Sequence, residues 1–120
     1  CFLVFFLFFT IFPPSSNAQF SWHRYAIVKV TLETETEIFE WEYENPESYE
    51  YEKGNRIVRG EEAKQSFERL LNHFDLTKKG ITDEEIIMLE KEYGINIIRL
   101  VIEHFDRNFQ HEVLVWLRKT

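Results

Sequence analysis

The chain has 120 residues and a formal net charge of −7, and beyond residue 18 it is long enough for one small domain with a single core, not for two. Every Lys, Arg, Asp and Glu follows Ala18, so the acid excess belongs to that domain. It argues against a nucleic-acid partner, because a polyanion is repelled and no basic stripe interleaved with aromatics offsets the repulsion. The one cysteine is Cys1, which excludes an internal disulfide in the rest of the chain and leaves stability to the core.

Residues 1–12 form an almost unbroken apolar run, followed by Pro13-Pro-Ser-Ser-Asn-Ala18. A membrane-spanning helix needs about 20 such residues, whereas a run of this length suits a secretory signal, and Ser16 and Ala18 offer the small side chains a signal peptidase accepts. The pattern predicts a cleaved signal over residues 1–18 and a domain over 19–120. The product would be secreted or held in the cell envelope, with no membrane span after cleavage. Cys1 precedes the apolar run, whereas a lipid-modified cysteine follows it, which disfavours a lipoprotein.

From Trp22 to Tyr43 apolar and polar residues alternate with period two, the mark of strands with one buried face. Pairing them about a loop Thr34-Glu-Thr-Glu37 sets Leu32 against Phe39, Val30 against Trp41 and Val28 against Tyr43. Lys29 then lies opposite Glu42, and Thr31 opposite Glu40, on the other face. A slip of one residue would oppose Val30 to Glu40, so the alternation itself selects the register. Asn45-Pro-Glu-Ser48 signals a turn, Tyr49–Glu52 a third strand, Lys53-Gly-Asn55 another turn, and Arg56–Arg59 a short extended piece.

Ala63, Phe67, Leu70, Leu71 and Phe74 then fall on one face of a helix predicted over Glu61–Phe74. A second helix opens at Thr82, where Thr-x-x-Glu85 is a capping box, and stops at Gly94. Residues 95–105 and 109–118 return to strands joined by Asp106-Arg-Asn108. With Phe105 opposite Phe109, Ile98, Leu100, Ile102, Leu114 and Trp116 share one face, and Ile97, Val101, Val113, Val115 and Leu117 the other. Both faces are apolar, which places this hairpin at the centre of a sheet or against a partner. The expected architecture is α+β: one antiparallel sheet made from two hairpins flanking a two-helix unit, with both helices on one face. Phe39-Glu-Trp-Glu-Tyr43 and Leu114-Val-Trp-Leu117 hint at a duplication of the hairpin.

The signal-like start, the aromatic hairpin, Gly60-Glu-Glu-Ala63 and Thr82-Asp-Glu-Glu85 opening the helices, and the closing hairpin together resemble the YusW-like family of small exported proteins of Gram-positive bacteria. The likeness spans residues 20–117. It implies an envelope location and this fold, and it carries no catalytic or binding residue with it. Members often carry a lipoprotein cysteine and an acidic-Gly turn in the last hairpin, where this chain has Asp106-Arg-Asn108.

No catalytic constellation stands out. Asp75 and Gly80 imitate positions 1 and 6 of a calcium loop, but Thr77, Lys79 and Ile86 occupy positions 3, 5 and 12, whereas calcium needs oxygen ligands at 3 and 5 and a bidentate glutamate at 12. The four histidines lack metal-ligand spacing, and only Glu103 and His111 are expected to meet across strands. Ser21, Ser48 and Ser66 lack a nucleophile-elbow context, and no glycine-rich phosphate loop is present. No metal and no cofactor is therefore expected. Glu40, Glu42 and Glu44 share a strand face, which is either a solvated surface or a site for a cation or basic partner. Trp41, Phe105 and Phe109 are the aromatic candidates for a binding face, against ordinary core packing. The expectation is a non-enzymatic interaction module that binds a protein or cell-envelope partner through its sheet face, with a homodimer among the forms considered. A small secreted hydrolase using glutamates and a protease-inhibitor-like module are the alternatives.

Overall fold

The computed structural model describes residues 20–119; the expected signal segment lies outside the described residues. A short helical turn, Trp22–Arg24, leads into β1 (Tyr25–Glu33), followed by β2 (Ile38–Glu44), β3 (Ser48–Lys53), β4 (Arg56–Arg59), α1 (Glu61–Leu71), α2 (Asp83–Tyr93), β5 (Arg99–Asp106) and β6 (His111–Leu117). The strands form one antiparallel sheet in the order β4-β3-β2-β1-β5-β6, and the helices lie together on one of its faces, an α+β fold. Among the described residues no helix is long and apolar enough to cross a membrane.

The first hairpin has the register that the alternation selects: Leu32 pairs with Phe39, Val30 with Trp41 and Val28 with Tyr43. Thr34 closes its loop, its hydroxyl accepting from the amide of Glu37 at 3.0 Å and its own amide donating to the Glu37 carbonyl at 2.9 Å. β1 then pairs on its other side with β5, Val30 facing Ile102 and Leu32 facing Leu100. Chain ends distant in sequence thus meet at the middle of the sheet, and the inward residues of four strands make one apolar layer.

That layer packs on Ala63, Phe67, Leu70 and Leu71 of α1 and on Ile86 and Leu89 of α2. The helical turn before β1 drives Trp22 into the same core, its ring 4.6 Å from Tyr43, 5.0 Å from Tyr49 and 5.1 Å from Phe67. Both buried indoles satisfy their N–H: Trp22 donates to Glu68 at 2.8 Å and Trp41 to the Ser66 hydroxyl at 3.0 Å. Those bonds remove the desolvation cost that would otherwise oppose burying a tryptophan.

Three details differ from the sequence-based expectation. α1 ends at Leu71, not at Phe74, because Asn72 takes the cap position and the amides of His73 and Phe74 close tighter turns onto Leu70 and Leu71; Phe74 still packs on the core. Residues 97–98 do not continue β5. Ile97 is buried in the core and Ile98 is only partly covered, the reverse of strict alternation, because the amide of Ile97 bonds to the Glu90 carboxylate while that of Ile98 bonds to the Glu33 carbonyl. In the last hairpin Phe105 faces His111, not Phe109. Asp106 accepts from the amides of Asn108 and Gln110, and Phe109 takes a left-handed conformation (φ 61°), so the turn is longer than three residues. A shift of two residues preserves parity, so each of the remaining strand residues keeps its predicted face.

The α2 ends follow the sequence signals. Thr82 accepts from the Glu85 amide while the Glu85 carboxylate accepts from the Thr82 amide, and Gly94 turns left-handed at the other end. We predict that Thr82→Ala lowers unfolding free energy by about 1 kcal/mol through loss of the cap, whereas Phe67→Ala, at a fully buried position, lowers it by about 3–5 kcal/mol. Urea denaturation of residues 19–120, a piece that contains the whole described core, measures both.

Candidate functional site

Two elements position the outer face of the sheet, the one opposite the helices. In β2, Phe39, Trp41 and Tyr43 point into the core, which turns Glu40, Glu42 and Glu44 outward. Trp41 is therefore not part of that face: it is buried, held to α1 by Ser66 and stacked between Phe39 and Phe67. In β5 and β6, Leu100, Ile102 and Leu114 point inward, which turns Val101, Phe105, Val113, Val115 and Leu117 outward.

The strand register arranges these residues in rows across the sheet. One runs Arg59, Glu50, Glu42, Lys29, Glu103, Val113, and the next Ile57, Glu52, Glu40, Thr31, Val101, Val115. In the first row Arg59 lies 3.0 Å from Glu50 and Lys29 lies 3.8 Å from Glu42, so cations bracket the facing glutamates. In the second row Glu40 and Glu52 oppose each other between a threonine and an isoleucine, and neither has an ion pair among the described residues. Like charges directly opposite each other cost about 0.2–1 kcal/mol, so this pair is the least compensated part of the acidic stripe. The glutamates border a shallow depression of about 110 Å³ between β1, β2 and β3.

Toward β6 the face becomes apolar. Val113, Val115 and Leu117 are 48%, 52% and 59% exposed. Phe105 closes one end of this area, stacked flat on His111 with centroids 4.2 Å apart, and His111 meets Glu103 at 2.7 Å. Glu103 and His111 do converge, as diagonal neighbours rather than a direct pair. Phe109 is 69% exposed on the turn, separate from the β2 glutamates. The structure therefore brings Glu40, Glu42 and Glu44 together, places Phe105 across the sheet from them, and removes Trp41.

A second feature, on the helix side, has no counterpart among the candidates chosen from the sequence. His104 is only 7% exposed, and among the described residues neither ring nitrogen has a hydrogen-bond partner; the Leu76 backbone approaches the ring without reaching hydrogen-bond geometry. It stands edge-on to Tyr25 at 5.2 Å beside a cavity of about 370 Å³ that Thr77, Asp106 and Glu112 also line. Extending the Leu100, Ile102 alternation by one step places His104 inward, so that signal was present in the chain. Burial holds its pKa below the ordinary value, an effect that Glu112 and Asp106 partly oppose. The Asp75 carboxylate is occupied by the Thr77 hydroxyl at 2.5 Å and amide at 2.9 Å, which hold its pKa down. The loop between the helices thus uses Asp75 to shape itself.

Burial lowers the His104 pKa in the fold, so the folded chain takes up this proton less readily than the unfolded chain, which binds it near the ordinary 6.5. Protons then favour the unfolded chain as pH falls below about 6.5, and stability drops by up to about 1.4 kcal/mol per pH unit until the folded form also protonates. We predict that His104→Leu flattens this part of the profile while leaving the behaviour above pH 7 shallow. Denaturant titrations from pH 8 to pH 5 read the difference. Comparison with protein-family models, with curated proteins and with solved structures finds no match to this chain in any of the three.

Proposed function

We propose that this chain is an exported, non-enzymatic interaction module that docks a protein partner on the outer face of its sheet. The observation that carries the reading is the division of that face, which no described element covers, into an acidic half on β2–β3 and an apolar half on β5–β6. Such a face suits a partner that presents apolar side chains beside Lys or Arg. The apolar contact supplies desolvation, and the glutamates supply steering and orientation. Export is supported by the apolar run over residues 1–12 with small residues at Ser16 and Ala18.

A photo-crosslinking residue placed at Val101, on the outer face, and separately at Glu84, on α2, tests the reading in the producing organism. The expected outcome is a discrete adduct from Val101 alone, reduced about tenfold by Glu40→Lys with Glu52→Lys. Adducts of equal yield from both positions, or none from Val101, would overturn it.

A further inference from the structure

The two edges of the sheet are built differently. β4 is four residues long and carries Arg56 and Arg59, the short and charged form of edge that resists pairing. β6 is seven residues long, pairs with β5 in an unbroken register, and has no proline, bulge or cation between Val113 and Leu117. Among the described residues nothing pairs with its free side.

The ladder identifies which groups are free. Asp106 donates to the Gln110 carbonyl and Arg118 to the Ile98 carbonyl. The even-numbered residues of β6 therefore direct their backbone groups to β5, and Val113, Val115 and Leu117 direct theirs to solvent. The same three residues carry the exposed apolar side chains.

We propose that β6 pairs antiparallel with β6 of a second copy about a two-fold axis at Val115, joining the two sheets into one. This goes beyond the outer-face reading by assigning an occupant to the free edge of the sheet. Charge selects the register. Centred on Val115, Val113 opposes the partner's Leu117, Leu114 opposes the partner's Trp116, and Glu112 opposes the partner's Arg118, whose guanidinium also meets Glu90 and the Ile97 carbonyl of its own chain, so each end of the interface sets a carboxylate against a cation that Glu112 and Glu90 would share. Centred on Leu114, Glu112 would oppose the partner's Trp116, and centred on Val113 it would oppose the partner's Leu114; neither pairs a charge. The two apolar halves of the outer face become contiguous across the axis, while the acidic halves lie at the far ends, where their mutual repulsion is weakest.

Sedimentation equilibrium of residues 19–120 between about 1 and about 500 µM tests the proposal. The wild type is expected to form a two-chain species that dissociates on dilution. Val115→Pro removes an outward donor without breaking a bond to β5 and is expected to abolish it, while Ile57→Lys on the opposite edge leaves it intact. Glu112→Arg replaces both end pairs with like charges and is expected to weaken association about tenfold. Should circular dichroism show Val115→Pro unfolded, Val115→Lys, which opposes two cations at the axis, serves in its place. A wild-type monomer across the range, or a dimer indifferent to the Val115 variants, overturns the proposal. So does crosslinking from position 115 only to a different protein. In each of these cases a Val101 adduct with another protein would leave the outer-face reading standing, so the two can fail separately.

Discussion

The structure depends on a geometric limit: two helices can cover one face of this sheet and no more. Six strands about 4.8 Å apart make a sheet about 24 Å wide, and two helices packed about 8–10 Å apart, each about 10 Å thick, span about 18–20 Å, most of one face and none of the other. The period-two alternation of β1 and β2 decides which face they cover, since Val28, Val30, Leu32, Phe39, Trp41 and Tyr43 all need the same shelter. β5 joins the arrangement by pairing with β1, and the core closes between the two hairpins and the helices. Everything that points the other way faces outward by default.

What points outward is not uniform. The β2–β3 half carries glutamates whose cross-strand repulsion is relieved in one row by Lys29 and Arg59 and not in the row of Glu40 and Glu52. Such charges cost little while hydrated and keep that half of the sheet wet. The β5–β6 half carries valines and a leucine that gain nothing from water. A valine that is half exposed on an interior strand is unremarkable. Val113, Val115 and Leu117, at every second position of an unprotected edge strand, combine an apolar stripe with free backbone donors and acceptors, which is the composition that sheet edges ordinarily avoid.

Much of this was legible in the chain. The register of the first hairpin, the inward set of β1 and β2, the face of α1 and the capping box of α2 all follow from spacing, because alternation and helical periodicity are local and a one-residue error would expose the core. The outward direction of Glu40, Glu42 and Glu44 follows from the same alternation. The errors also have local causes: a turn lengthened by the Asp106 carboxylate and the left-handed Phe109, and a bend at residues 97–98 that exchanges Ile97 and Ile98. Trp41 was legible as an inward residue but not as a spent one, since its tie to Ser66 joins elements separated in sequence.

The sequence by itself determined which residues share a face, since side-chain direction repeats every two residues in a strand and every 3.6 in a helix. Only the tertiary structure decided the order of the strands. Hairpin patterns specify sequential neighbours, whereas the pairing of β1 with β5 closes a long loop and leaves no short-range trace. That order puts the doubly apolar hairpin half inside the sheet and half at its edge. Among the described residues it leaves β6 with free backbone groups and an uncovered apolar stripe, and it isolates His104 beneath the loop that follows α1.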